Sequence, residues 1–333
     1  MPSFLVIQTA FIGDVVLSTA VVEKLHSFFP GAEIDFLVRK GNEGLLQNNP
    51  HIREVLIWDK KQKKIPNLFA LLRKIRKSKY DKVINLQRFF ATGMLTAFSG
   101  AGETIGFDKN PLSILFSRKV PHHFDPQNVR HEVQRNNDLI RHFTDDTFTR
   151  PALYTSAEDE KSISLYTGKP YICISPSSVW FTKKFPLEKW TDCINRMPKG
   201  YTIYLLGGKD NVDECTQLKN SVNHPHVDIL AGKLSFLQSA ALMRHAAMNY
   251  VNDSGPLHFA SAVNAPVTAI FCSTAPVLGY TPLSDTSFIV ETKEALSCRP
   301  CGWHGHQACP QKHFRCGYGI NNDDVLQTVP PLP

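Results

Sequence analysis

Four short segments hold side chains that could do chemistry together. The first is TAFIGD (9–14), where Asp14 follows a glycine at the end of a strand-like run. A carboxylate there can cap the helix that follows, or stay ionised in the helix dipole and take a proton from a hydroxyl. The second is SPSSVWFTKKFP (175–186), with Ser177, Ser178, Lys183 and Lys184 between a strand and a helix. Hydroxyls, backbone N–H groups and a lysine are what a pyrophosphate needs, though a turn with surface lysines has the same composition. The third is NDSGPLHFASA (252–262): Asp253, Ser254 and Gly255 make the turn and His258 falls on the first helical turn. It reads as a phosphate-receiving helix start or as a capping turn over a packed histidine. A weaker glycine pair, LLGGKD (205–210), could lie against a nucleotide.

The fourth segment is CRPCGWHGHQACPQKHFRC (298–316), which contains Cys298, Cys301, Cys309 and Cys316. Four thiols spaced C-x2-C-x7-C-x6-C can form a tetrahedral structural zinc site, although this is not a standard finger spacing. The other reading is a loop packed on reduced thiols. Cys173, Cys193, Cys215 and Cys272 stand in apolar elements and read as buried thiols.

The elements that must position these groups alternate from the start. Strand-like runs at 4–9, 34–38, 55–58 and 82–86 are separated by helical patterns at 14–28, 67–77, 89–98 and 131–143. Residues 144–168 turn acidic and polar and read as a linker. A second series follows, with strands at 171–176, 201–208, 227–232, 249–253, 266–271 and 287–291 and helices near 187–197, 211–222 and 235–246. Such alternation implies an α/β protein of two Rossmann-like lobes with parallel sheets and a cleft between them. Ligands then bind beyond the carboxyl ends of the strands, which selects loops 9–14, 86–89, 176–184, 207–210, 252–258 and 272–276.

Composition limits the function classes. The chain has 333 residues, about two domains' worth, with 42% apolar and 20% charged residues. Its start, MPSFLVIQTAF, does not read as a signal peptide, and no apolar run reaches the ~18 residues of a membrane span. A cytoplasmic protein is expected. The net charge of +7 favours anionic partners, and the basic run from Lys60 to Lys82 is either a solvated helix face or an attraction to anionic lipid headgroups.

Together these residues resemble glycosyltransferase family 9, the ADP-heptose:lipopolysaccharide heptosyltransferases. FIGDVVLSTAVVEKL is similar to the family's opening strand, Gly-Asp turn and helix; KKFP (183–186) resembles its Lys-x-aromatic-Pro element, and NDSGPLHFASAVNAPVTAIFCSTAP its most diagnostic segment. The cysteine-rich stretch with a short terminal helix is similar to the heptosyltransferase II branch. The resemblance implies a GT-B fold, with an acceptor lobe at 1–155, a donor lobe at 156–320, and a helix within 321–333 that crosses back to the first lobe. It implies inverting transfer of heptose from ADP-heptose to a lipid-linked, anionic inner-core saccharide, with no cofactor required for catalysis. Asp14 then matches the catalytic base and Lys183 the lysine that neutralises the donor pyrophosphate. Asp253, Ser254, Gly255 and His258 match the donor-phosphate loop, and Ser177 and Ser178 stand beside it. Arg88, Arg118 and Arg130 lie in the first lobe and are candidates for the acceptor's acidic groups, or plain surface charges. Peripheral contact with the inner face of the inner membrane follows from such an acceptor. No Asp-x-Asp pair occurs, so a metal-bridged pyrophosphate is not indicated.

Two other classes compete. A basic, zinc-containing nucleic-acid-binding protein would account for the charge and the cysteines, but leaves the phosphate-type loops unused, so no nucleic acid is expected. Another two-lobed nucleotide-sugar enzyme, such as an epimerase, would use the same loops for a different reaction.

Overall fold

A computed structural model describes residues 1–332 as two units, Met1–Tyr154 and the remainder from Thr155. In the first, the strands are β1 (Ser3–Ile7), β2 (Glu33–Arg39), β3 (Glu54–Trp58), β4 (Lys82–Asn85), β5 (Glu103–Phe107) and β6 (Arg118–Val120). Its helices are α1 (Ile12–Phe28), α2 (Lys64–Ser78), α3 (Phe90–Ala97) and α4 (Glu132–Asn137). All strand pairs are parallel, in the order β3-β2-β1-β4-β5-β6. Such a sheet needs apolar cover on both faces; β1 is accordingly a run of buried Phe, Leu, Val and Ile, and the interior of β2 is buried and apolar except for Asp35, which Arg53 and Tyr80 hold. Helix α2 closes one face with Leu68, Leu71 and Ile75, spaced at i, i+3 and i+7, and turns its lysines outward.

The second unit repeats the plan. Its helices begin with α5 (Ala157–Ile163). Strands β7 (Tyr171–Ser175), β8 (Thr202–Leu205), β9 (Val227–Ile229), β10 (Met248–Asn252), β11 (Val267–Phe271) and β12 (Ser287–Glu291) pair in parallel, in the order β12-β11-β10-β7-β8-β9. The remaining helices are α6 (Leu187–Arg196), α7 (Val212–Ser221), α8 (Phe236–His245), α9 (Gly255–Ala262), α10 (Arg315–Tyr318) and α11 (Asn322–Leu326). Trp190 of α6 meets Phe185 edge-on at 5.1 Å in a core that also buries Tyr201 and Tyr250.

Four readings of the sequence are amended. Strands β5 and β6 have no counterpart among the sequence-based segments: ETIGF is broken by Gly106 and RKV is a charged edge of three residues. The helix expected over 131–143 stops at Asn137, and a separate turn covers 141–143. The expected linker is structured. The buried Lys24 ammonium donates to the Asp145 and Thr147 carbonyls at 2.7 and 2.8 Å, tying that stretch to α1, while Ser156 caps α5. The terminal helix, expected to return to the first lobe, has its partners in the second unit. Val325 enters that core, Asn322 bonds Asp192 of α6 at 2.6 Å, and Thr268 bonds Thr328 at 2.8 Å. Residue 333 of the expected 321–333 segment lies outside the described residues.

Candidate active site

In each sheet the strand order reverses direction once, between β1 and β4 in the first unit and between β7 and β10 in the second. The loops leaving the carboxyl ends of strands at such a reversal diverge and leave a crevice, the usual ligand site of an open parallel sheet. The residues singled out from the sequence concentrate there.

In the first unit Asp14 is the third residue of α1, half-buried, and its carboxylate accepts from the Phe11 backbone N–H at 3.2 Å. It is therefore a capping residue as well as a base candidate. The sheet brings Arg39 to it, and Lys60 to the neighbouring Thr9, two cations that the sequence reading did not select. Arg39, at the end of β2, lies over the Phe11 ring at 5.0 Å; burial lowers the pKa of its guanidinium while the Asp14 charge opposes that shift. Lys60, just past β3, donates to the Thr9 carbonyl at 2.8 Å and to its hydroxyl at 3.0 Å. Burial, with Arg39 and Lys64 adding repulsion, pushes the Lys60 ammonium down to about 8. The rule that selected loops 9–14 and 86–89 applies equally to the ends of β2 and β3, and would have found both.

The three candidate arginines separate. Arg88 is exposed in the loop after β4, stacked over Phe89 at 5.8 Å, on the Asp14 side of the sheet. Arg118 begins edge strand β6 and faces Glu103 at 3.4 Å, and Arg130 grips Asp138 through both guanidinium nitrogens at 2.6 and 2.8 Å. Neither of these two is placed at the β1–β4 reversal.

In the second unit the Lys183 ammonium is 2.7 Å from an Asp253 carboxylate oxygen, with only 14% and 8% of the two side chains exposed. Thr274, after β11, donates to the same carboxylate oxygen at 2.7 Å. Asp253 thus joins the loops after β7, β10 and β11. Asn252 holds the frame: it accepts from the Phe185 N–H at 2.9 Å and donates to the Pro176 carbonyl at 2.7 Å. Ser254 is the N-cap of α9, with its hydroxyl turned back to the Asn252 carbonyl at 3.3 Å. The chain then enters α9 through Gly255 and Pro256, so the helix start and its N–H groups lie beside the Lys183–Asp253 pair. His258 is buried beneath this turn, 6.2 Å from the Tyr280 ring. Ser177 is turned elsewhere: its hydroxyl donates to Glu214 at 2.7 Å, and Lys184 donates to the same oxygen at 3.0 Å. Ser178 follows it, half-buried.

The cysteine-rich loop packs on this pair. His306 N–H donates to the Thr182 hydroxyl at 2.8 Å, and Thr182 N–H donates back to the His306 carbonyl at 3.0 Å. Cys301 N–H donates to Ser273 at 2.7 Å, and Arg299 bonds the carbonyls of Cys272 and Thr274 at 2.8 Å. Gly305 has φ of +75°, and a Cβ there would stand 2.8 Å from Thr182 Oγ1 and 3.1 Å from Lys183 Cγ. The loop is part of the wall behind Lys183.

The zinc expectation does not fit these positions. Among the described residues, no three His, Cys, Asp or Glu side chains are arranged to hold a metal. Cys316 is turned into the apolar core, where burial pushes its thiol up to about 11. Cys309 accepts from the Phe314 N–H at 3.4 Å, and Cys298 sits 3.9 Å from His313 Nε2.

Two parallel six-stranded α/β units, each with its candidate residues at the carboxyl ends of the strands, make a fold of the GT-B type. The family model described as Glycosyltransferase family 9 (heptosyltransferase) matches residues 68–307, and the chain belongs to that family. It is 29% identical over 278 residues to lipopolysaccharide heptosyltransferase 3 of Escherichia coli, covering 79% of this chain and 82% of that one. Its fold is similar to that of E. coli ADP-heptose lps heptosyltransferase II, with a TM-score of 0.80 at 20% identity over 98% and 97% of the two chains. The iron-containing dodecameric glycosyltransferase TibC of enterotoxigenic E. coli shares it at a TM-score of 0.58, 17% identity, and 98% and 75% coverage.

Proposed function

We propose that the chain transfers a heptose from ADP-heptose to an anionic, lipid-linked saccharide of the lipopolysaccharide inner core, with inversion and without a metal ion. The observation that carries this is the largely buried Lys183–Asp253 pair at the start of α9, together with membership of a heptosyltransferase family. Asp14 takes the proton of the acceptor hydroxyl as its oxygen attacks the anomeric carbon. The bond from that carbon to the diphosphate oxygen breaks, and ADP leaves with the electron pair. Charge grows on the leaving phosphate, where Lys183 and the α9 N–H groups stabilise it more in the transition state than in the ground state. Asp253 holds Lys183 in place, and Ser254, Gly255 and His258 shape the turn that receives the phosphates. Ser177 and Ser178 shape the adjoining loop. On the acceptor side Arg39, Lys60 and Arg88 supply cations for acidic groups close to the reacting hydroxyl. The protein works on the cytoplasmic face of the inner membrane, drawn there by its basic first unit.

The full chain is incubated with ADP-heptose and a core acceptor that lacks this heptose. Acceptor-dependent release of ADP, a product of inverted anomeric configuration, and unchanged rates after treatment with a chelator are expected. ADP release without a glycosylated product would reject the transfer, and loss of activity on chelation would reject its metal independence.

A further inference from the structure

A cavity of about 720 Å³ opens beside β6 in the first unit, walled by that strand, the stretch that follows it, α4 and the 141–143 turn. This volume falls within the ~300–1,000 Å³ of ordinary small-molecule sites. Five cationic side chains line it against two carboxylates. Three of the guanidinium groups are held in place: Arg130 by Asp138, Arg135 by Glu132 at 2.7 Å, and Arg141 by Asp146 at 2.6 Å. Arg118 is more loosely placed, 3.4 Å from Glu103. Among the described residues, the Lys119 ammonium has neither a hydrogen bond nor an ion pair. His123 adds a further donor to the lining. Held guanidiniums around a concave wall lose little side-chain entropy on meeting an anion, and a concave low-dielectric wall focuses their field.

The location separates this cavity from Asp14. Strand β6 is three strands from β1, so at ~4.8 Å per strand it lies about 14 Å away across the sheet. It also ends the sheet, which leaves the outer backbone edge of β6 without a strand partner. The charge of the chain follows the same division. Residues 1–154 hold 22 of the 37 lysines and arginines against 15 of the 30 acidic residues, a net +7, whereas the rest of the chain balances to zero.

We propose that this cavity is a second anion-binding site that takes a phosphate-bearing group of a saccharide, remote from the hydroxyl that reacts. As an anchor for the acceptor it rests on the transfer reading above. Lys119 supplies the uncommitted charge, and Arg118 and Arg130 the oriented N–H groups. The acceptor would then be recognised at two points, at the reacting hydroxyl beside Asp14 and at a phosphate beyond it.

The test uses the full chain, wild type, Lys119→Glu and the charge-retaining Lys119→Arg. Inorganic phosphate at millimolar concentration is expected to shift the amide resonances of residues 118–123 in the wild type and in Lys119→Arg, but not in Lys119→Glu. No shift in the wild type overturns the site. Kinetics follow with a core acceptor before and after phosphatase treatment. Lys119→Glu is expected to raise KM about tenfold for the phosphorylated acceptor, the loss of one charge-assisted contact. The treated acceptor should show no such rise, and the donor KM should not move. An equal rise for both acceptors overturns the proposal. So does a response to phosphatidylglycerol vesicles with none to the phosphorylated saccharide. Transfer that depends on Asp14 but is indifferent to Lys119 removes the cavity and keeps the reaction. Binding of the phosphorylated saccharide by the wild type but not by Lys119→Glu, with no transfer in either, keeps the cavity and removes the reaction.

Discussion

Asp14 accepts a backbone hydrogen bond at the start of α1, which fixes the direction of its carboxylate. Asp14→Asn preserves the size of the side chain and removes the basicity. Transfer should fall by about 10²–10⁴-fold, the usual contribution of a general base, with donor affinity near normal. Turnover at the wild-type rate, followed as ADP release, would exclude the role. Lys183→Ala leaves Asp253 facing the incoming diphosphate without its cation. Donor affinity should weaken by ~1.5–3 kcal/mol, roughly ten- to a hundredfold, in a calorimetric titration with ADP, and unchanged affinity would count against the assignment. Lys60 makes a pH-dependent prediction. Its ammonium is pushed down to about 8, below the ordinary lysine value, so it is charged below that pH and becomes neutral as pH rises through it. Acceptor KM should therefore climb above pH ~8 in the wild type, and this climb should vanish in Lys60→Met. A climb that survives in the variant belongs to another group. In stability the sign is the reverse: the desolvation cost of a charged Lys60 is present below about 8 and is relieved as pH rises.

The loops after β7, β10 and β11 form one assembly, because Asn252, Thr274 and the cysteine-rich loop bond across them. In Gly305→Ala a methyl group would press on Thr182 and Lys183 from a backbone conformation that alanine avoids. Donor KM should rise about tenfold while acceptor KM stays the same; an unchanged donor KM would show that the loop does not position Lys183. Most elements were legible in the sequence because buried parallel strands are mainly apolar runs and surface helices have a 3.6-residue period. Strands β5 and β6 were not, since Gly106 interrupts one and the other is an edge that carries charge instead of burying apolar surface. Helix α4 read as too long because its pattern continues into a turn.

At the scale of the molecule, the excess of seven positive charges belongs to the first unit alone. The basic face of α2, with the lysines before it, adds Ile65 and Phe69, which are 65% and 50% exposed. Charge with nearby apolar side chains suits an anionic bilayer surface. The full chain should co-sediment with phosphatidylglycerol-containing vesicles at low salt and be released as ionic strength rises, since the Debye length shrinks to ~3 Å at 1 M. Binding indifferent to salt, or binding equally to neutral vesicles, would reject an electrostatic attachment. No helix among the described residues is long and apolar enough to cross a membrane.

By itself the sequence determined the two α/β repeats and the loops at the strand ends, and it singled out Asp14, Lys183 and Asp253 as candidates, because local pattern and residue chemistry are written along the chain. Only the tertiary structure decided which charges meet. It paired Lys183 with Asp253 across seventy residues, turned Ser177 toward Glu214, set Arg39 near Asp14 and bonded Lys60 to Thr9. It also moved Arg118 and Arg130 to a separate cavity and buried Cys316 in the core. Those outcomes depend on strand order and on the direction of each side chain, and neither follows from spacing along the chain.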